Sequence, residues 1–194
     1  MPTEWPELDV FLTSVSDHYA TASVCGPNAK KIINKIFKDL DLSDESFPHM
    51  SFKEIKLGEI NCRVMRISFT GELSYEINVE ASYGKYIWEK CIEAGKEFNI
   101  TPYGTETMHL LRAEKGFIIV GQDTDGTMTP VDLQMDWIIS KKKYDFIGKR
   151  SLYRSDTIRE DRKQLVGLLT DDPNEILEEG AQLIKDENKK PVDM

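Results

Sequence analysis

The stretch that decides the fold is CRVMRISFTGELSYEINVE, residues 62–80. Apolar and polar side chains alternate along both of its halves, which is the period-two pattern of a β-strand with one face on a core. Gly71 separates the halves and suits a tight turn. The stretch therefore predicts an antiparallel hairpin whose second strand buries Tyr75 and Ile77 and carries Glu76 on its polar side.

The flanking segments add helices and further short strands. Apolar residues with helical spacing predict helices over residues 27–38, from residue 82 or 83 to about 98, and over 105–115. Strands and helices do not alternate strictly enough for a doubly wound parallel sheet, so we expect an α+β fold with mostly antiparallel sheets and helices on one face. The remaining predicted elements are strands at 10–16, 20–25, 117–120, 137–139, 164–169 and 181–184, and a short helix at 148–153.

Composition limits the classes of function. The chain has 194 residues and a formal net charge of −9, which disfavours nucleic acid and anionic membranes as partners. No apolar stretch approaches the roughly 18 residues that a membrane span needs. The three cysteines are odd in number and lie far apart in apolar surroundings, a usage typical of reduced thiols in a cytoplasmic protein. We therefore expect a cytoplasmic location, and no metal site.

A change of composition divides the chain near its end. Residues 1–155 are expected to form the main α+β region. Residues 156–163 are charged and are interpreted as a linker. The strands predicted after this linker are too few for a stable sheet of their own. Residues 156–194 are therefore interpreted as a linker and the first strands of an incomplete β domain.

The residues alone leave the chemistry open. On periodicity, Glu76 is favoured as a solvated strand carboxylate; the alternative is a carboxylate directed into a cleft, where it could accept two parallel hydrogen bonds. Arg112 could form a local ion pair or bind an anionic tail. Residues 123–126 resemble part of a calcium loop but lack its further oxygen ligands, so we interpret them as a tight turn. No phosphate-binding glycine motif is present.

Four segments together resemble one family. They are ISFTGELSYEI (67–77), PYGTETMHLLRAEKG (102–116), GQDTDGTMTP (121–130) and DFIGKR (145–150). The chain resembles the aminomethyltransferase (glycine-cleavage T-protein) family. The second and third segments are more specific and resemble the C-terminal, folate-binding half of the alpha subunits of heterotetrameric sarcosine oxidases.

The resemblance implies a tetrahydrofolate site in an enzyme that converts sarcosine to glycine, hydrogen peroxide and 5,10-methylenetetrahydrofolate. It implies FAD, FMN and NAD elsewhere in the complex, and beta, gamma and delta subunits as partners. The glutamate of the family's Tyr-Glu-Ile strand, which holds the pterin ring, falls on Glu76. On this basis the folate-binding residues are Glu76, Tyr75 and Arg112.

Departures from the family pattern limit what is carried over. The resemblance implies that the N-terminal part of the α+β region is missing and that residues 156–194 begin an incomplete C-terminal β-barrel. The family's catalytic aspartate lies in a segment that precedes the matching residues, so no catalytic residue is assigned and the chain alone is expected to be inactive. Met108 stands where T-proteins have an arginine, so Arg112 does not simply take over the tail-binding role. The alternatives are a glycine-cleavage aminomethyltransferase and a non-catalytic folate-binding regulatory protein of the same fold.

Overall fold

The computed structural model describes residues 5–178 and 180–181. The chain divides into two compact units, the first ending at Phe117 and the second beginning at Ile118. Among the described residues, no helix is long and apolar enough to cross a membrane.

The first unit contains a four-stranded antiparallel sheet in the order β1-β4-β3-β2. In the hairpin of β3 and β4, Val64 lies opposite Ile77 and Met65 lies opposite Glu76. The predicted hairpin and the predicted strand at 20–25 are therefore confirmed. The strands are β1 (Tyr19–Cys25), β2 (Phe52–Leu57), β3 (Ile60–Met65) and β4 (Ser74–Glu80).

Two of the three helices of the first unit cover one face of this sheet. The three helices are α1 (Ala29–Ile36), α2 (Gly84–Gly95) and α3 (Thr105–Glu114). Both α1 and α2 pack against β1 and β4. Their apolar spacing places Ile33 and Ile87 against the sheet, where each is no more than 1% exposed. The three predicted helices and the α+β class with an antiparallel sheet are confirmed.

Strand β4 separates the core from an uncovered polar face. Tyr75, Ile77 and Val79 are at most 1% exposed, whereas the alternate residues Glu76 and Asn78 are only partly buried. Because side chains alternate along a strand, a shift of one residue would move Glu76 into the core and Ile77 out of it. Burial of the apolar set therefore fixes the face on which Glu76 lies.

The turn between β3 and β4 requires a glycine. Gly71 has a φ of +80°, and a β-carbon there would lie 2.7 Å from Cγ of Lys115. Lys115 follows the end of α3, and its Nζ lies 2.8 Å from Oε1 of Glu72 in the same turn. The close approach at Gly71 thus joins the end of α3 to the hairpin that carries Glu76.

The second unit has a different construction. Its described residues contain no β-strand and no α-helix, only 3-10 turns at Asp136–Ile138 and Lys149–Tyr153. A buried ion pair joins distant parts of the unit, with Nη2 of Arg162 2.7 Å from Oδ2 of Asp132. Arg162 also donates to the carbonyl of Thr127. Its hydrogen bonds to the Asp132 carboxylate lower the pKa of that group to about 2.

Several predictions about short strands were wrong. Residues 10–16, 117–120, 137–139 and 164–169 form no strand, and the predicted helix at 148–153 is a 3-10 turn. These segments have strand-forming side chains but no neighbouring strand to pair with, and strand propensity depends on such packing. Of the strand predicted at 181–184, all residues after 181 lie outside the described residues. The described residues show no beginning of a barrel, and the boundary at 155/156 stays a prediction.

Strand β2 was missed. Its residues Lys53, Glu54 and Lys56 are poor strand formers. Only Ile55 and Leu57 of this strand pack against the core. β2 lies at the edge of the sheet, where charged side chains are common because they discourage pairing with other chains. A short, charged edge strand therefore gives little signal in a sequence.

The core account predicts a large loss of stability for Ile77→Ala. Ile77 is fully buried, so we expect the free energy of unfolding to fall by about 2–5 kcal/mol. Urea unfolding followed by circular dichroism measures this. Glu80→Ala, at the exposed end of the same strand, is the control and should change stability by less than about 0.5 kcal/mol. Equal losses in both variants would contradict the burial described for β4.

The ion pair of the second unit predicts an acid-dependent effect. The folded-state pKa of Asp132 is lowered, so its stabilisation is complete above the ordinary pKa of 3.8 and is lost as the pH falls through about 2. Arg162→Gln should raise this pKa and destabilise the unit by about 3–5 kcal/mol, because a buried carboxylate loses its partner. Carboxyl NMR titration and urea unfolding measure the two effects. Arg159→Gln, in an exposed pair with Asp161, is the matched control, and similar shifts from both variants would refute the assignment.

Candidate functional site

A row of polar side chains crosses the uncovered face of β1 and β4. Oγ1 of Thr21 donates to Oδ1 of Asn78 over 2.7 Å, and the hydroxyl oxygens of Ser23 and Ser74 are 3.3 Å apart. Glu76 lies directly opposite Ser23 in the register but forms no hydrogen bond with it. The small polar side chains of β1 therefore form hydrogen bonds with Asn78 and Ser74, on either side of Glu76 along β4, and none with the Glu76 carboxylate.

Glu76 is a half-buried carboxylate without a partner. Among the residues that the structure describes, none donates a hydrogen bond to it or forms an ion pair with it. Burial raises the pKa of the Glu76 carboxyl above its ordinary value. A charged group that is partly removed from water and unpaired gains most from ligand N–H donors. The site can therefore accept two parallel hydrogen bonds at this position.

Tyr103 covers one end of the polar row. It comes from the loop at 101–104, before α3, and its Oη lies 3.1 Å from Sγ of Cys25 on β1. Burial, the hydrogen bond with Cys25 and the charge of Glu76 raise the pKa of Tyr103 to about 12. The phenol therefore stays protonated and able to donate a hydrogen bond beside Glu76.

Two cavities of the first unit are lined by members of the polar row, although Glu76 itself lines neither. The apolar cavity, about 600 Å³, lies along β1, α2 and the 101–104 loop, and Ser23, Cys25 and Tyr103 line its polar end. The polar cavity, about 510 Å³, lies over the other end of the row. Ser23, opposite Glu76 on β1, lines the apolar cavity, and Asn78, two residues after Glu76 on β4, lines the polar cavity. The polar cavity is lined mainly by Tyr19, Glu54, Lys56, Asn61, Arg63 and Asn78.

Tyr75 is not on this face. Its side chain is 0% exposed, and its ring packs against Phe47 with centroids 5.9 Å apart in the core. Adjacent residues of a strand point to opposite sides, so the side chain that neighbours Glu76 in sequence is separated from it by the sheet. The side chain of Tyr75 therefore lies on the core side of the sheet, and its assignment as a folate-binding residue stays a prediction.

Arg112 stabilises the end of α3. Its Nη1 donates to the carbonyl of Phe117 over 3.0 Å, and the amide of Phe117 donates back to the carbonyl of Arg112 over 2.9 Å. Arg112 is buried and lines neither cavity. Met108, one turn earlier on the same helix, does line the apolar cavity. The structure thus does not bring Arg112 together with Glu76.

The sequence reasoning missed Tyr103, Arg63 and Asn78 as neighbours of the site. Asn78 could have been predicted from the sequence, since it follows Glu76 by two residues and so lies on the same face of the strand. Arg63 required the register of β3 against β4, in which it lies opposite Asn78. Tyr103 sits in a loop whose approach to β1 no local pattern indicates.

Comparisons with known proteins agree on one family. The GCVT N-terminal domain matches residues 1–143. The chain is 55% identical over 187 residues to the sarcosine oxidase subunit alpha of Corynebacterium sp. (strain P-1), and the match covers 96% of the chain but 19% of that protein. It is 33% identical over 147 residues to an aminomethyltransferase of Thermoanaerobacter sp. (strain X514), covering 75% of the chain and 39% of that protein.

A third relative has another name. The chain is 29% identical over 177 residues to mitochondrial dimethylglycine dehydrogenase of Mus musculus, covering 91% of the chain and 20% of that protein. The chain thus spans about a fifth of the length of its sarcosine oxidase and dimethylglycine dehydrogenase relatives. Because the domain match extends over most of the chain and includes the sheet that carries Glu76, the chain belongs to the GCVT N-terminal domain family.

Proposed function

We propose that this chain is the tetrahydrofolate-binding region of a sarcosine oxidase alpha subunit. The observation that carries the proposal is Glu76, a half-buried carboxylate without a protein partner on the open face of the sheet. The 55% identity to a sarcosine oxidase subunit alpha over 96% of the chain supports this member of the family.

The chemistry of Glu76 fits a pterin ring. A pterin offers N3–H and its 2-amino group side by side, and a carboxylate accepts both in parallel. When bound, tetrahydrofolate supplies the nitrogens that take up the one-carbon unit. Glu76 fixes the ring through its polar edge and touches no reacting atom, so it is a binding residue. No catalytic residue is assigned to this chain.

The proposed overall reaction is the oxidative demethylation of sarcosine to glycine, hydrogen peroxide and 5,10-methylenetetrahydrofolate. Other regions and subunits, expected to be beta, gamma and delta, would hold FAD, FMN and NAD. The three cysteines are free thiols, which supports a reducing, cytoplasmic compartment. Within this proposal, residues 156–194 begin a separate domain.

An aminomethyltransferase is the second candidate, because the relative of that name covers 75% of the chain. The lower identity and the apolar Met108 at the edge of the apolar cavity count against it. Genomic neighbours discriminate the two: genes for flavin-bearing subunits favour the oxidase, and genes for a glycine-cleavage system favour the transferase.

Glu76→Gln should weaken binding of tetrahydrofolate. The amide keeps the size of the side chain but loses the charge and one acceptor, so we expect a loss of about 1–3 kcal/mol in binding free energy. Calorimetry on the complete protein measures it. Glu80→Gln, on the same strand and face but at its exposed end, is the control and should bind as the parent does. Unchanged affinity in Glu76→Gln would refute the role of Glu76.

The same variant predicts a change of stability with pH. The folded-state pKa of Glu76 is raised by burial, so the charged carboxylate costs stability above that pKa, and the cost disappears below the ordinary value of 4.5. Without ligand, Glu76→Gln should be slightly more stable than the parent at pH 7.5, by less than about 1 kcal/mol. At pH 4 the two should be equal. Urea unfolding at both pH values tests this, and a variant that is less stable at pH 7.5 would reveal a protein partner for Glu76.

A further inference from the structure

Two hydrogen-bond donors beside Glu76 have no partner. Nδ2 of Asn78 and Nε of Arg63 are buried, and neither is hydrogen-bonded in the part of the chain that the structure describes. The two residues lie directly opposite each other on β4 and β3. An unpaired buried donor lowers the stability of the folded chain, so two adjacent ones are a feature that folding alone does not favour.

The protein holds both side chains by their other atoms. Thr21 donates to Oδ1 of Asn78, which leaves the amide N–H groups of Asn78 unused. Nη2 of Arg63 donates to Oε1 of Glu54 over 2.9 Å, and the guanidinium lies 5.5 Å from the ring centroid of Phe52. Both residues line the polar cavity, so a ligand in that cavity lies next to them. The orientation of the donors is therefore set before any ligand arrives.

Acceptor and donors form one row. Asn78 follows Glu76 by two residues on the same face of β4, so an unpartnered carboxylate stands near two unpartnered donor atoms, Nδ2 of Asn78 and Nε of Arg63. The complementary ligand edge has N–H donors next to an exocyclic carbonyl oxygen. A 2-amino-4-oxopyrimidine ring has this edge, since its 2-amino group and N3–H adjoin the 4-oxo oxygen. The row therefore matches more of the ring than a single carboxylate does.

We propose that Asn78, with Arg63 beside it, donates a hydrogen bond to the 4-oxo oxygen of the pterin that Glu76 holds, and so selects 4-oxo over 4-amino pterins. This inference rests on the proposed function and names its specificity residue. A 4-amino group would place its own N–H donors against those of Asn78 and leave both unpaired. Sites that hydrogen-bond a ligand group discriminate strongly against analogues that cannot satisfy them.

The test compares two ligands on the complete protein. Affinities for tetrahydrofolate and for its 4-amino-4-deoxy counterpart are measured by calorimetry in the parent, Asn78→Leu and Asn78→Asp. The parent should prefer the 4-oxo ligand by roughly tenfold or more. Asn78→Leu should lower this ratio, and the part of the preference that comes from N3–H on Glu76 should remain. Asn78→Asp keeps the size of the side chain but replaces the donor with an acceptor, so it should shift the preference towards the 4-amino ligand even if Asn78→Leu folds poorly.

Control variants separate this inference from the proposed function. Asn61→Leu changes another amide at the polar cavity and should leave the ratio as in the parent. Glu76→Gln should weaken binding of tetrahydrofolate, the ligand that presents N3–H. If Glu76→Gln weakens tetrahydrofolate but the Asn78 variants keep the parent's ratio, the role of Asn78 is overturned and the folate site stands. If the parent binds neither ligand, or Glu76→Gln changes neither affinity, the proposed function itself fails.

Discussion

The alternation of side chains along β4 is the constraint on which the rest of the site depends. Tyr75, Ile77 and Val79 are held in the core by α1, α2 and the neighbouring strands, and this burial leaves Glu76 and Asn78 on the open face. The strand cannot shift by one residue without exposing three core side chains and burying a charge. The hydrophobic core thus holds a polar recognition row in place through the backbone alone, without hydrogen bonds from the protein to Glu76.

Several polar groups of the row have no hydrogen-bond partner among the described residues. Proteins usually pair buried polar groups, yet Glu76 has no donor and two adjacent donors, on Asn78 and Arg63, have no acceptor among the described residues. Small polar residues of β1 hold the neighbouring side chains in place without reaching Glu76. Such an arrangement lowers the stability of the unliganded chain slightly and strengthens binding of a ligand with the complementary edge. A stable, fully paired face would bind less selectively.

Much of the first unit could be predicted from sequence, because its elements carry their own periodic signal. The β3–β4 hairpin and the helices α1 and α2 each bury a regular apolar set. Strand β2 gave little signal because it is short, charged and at an edge. The alternation also predicted the burial of Tyr75. The family motif alone does not indicate this burial, because it places Tyr75 directly beside Glu76 in the sequence. In the second unit, short apolar runs suggested strands, but a long-range ion pair between Asp132 and Arg162 organises it instead, and no local pattern reveals such a pair.

The site was predictable to the extent that it lies on one strand. Alternation placed Glu76 on the polar face, and its binding role is a proposal that family resemblance supports, whereas the positions of Tyr103 and Arg63 depend on contacts between distant segments. The most direct measurement of the central claim is the pKa of Glu76 itself, followed by NMR of its labelled carboxyl carbon in the complete protein, with and without tetrahydrofolate. The account predicts a pKa above the ordinary value in the free protein and a fall when the ligand's N–H groups stabilise the carboxylate. A pKa that stays unchanged while the protein is saturated with ligand would contradict it.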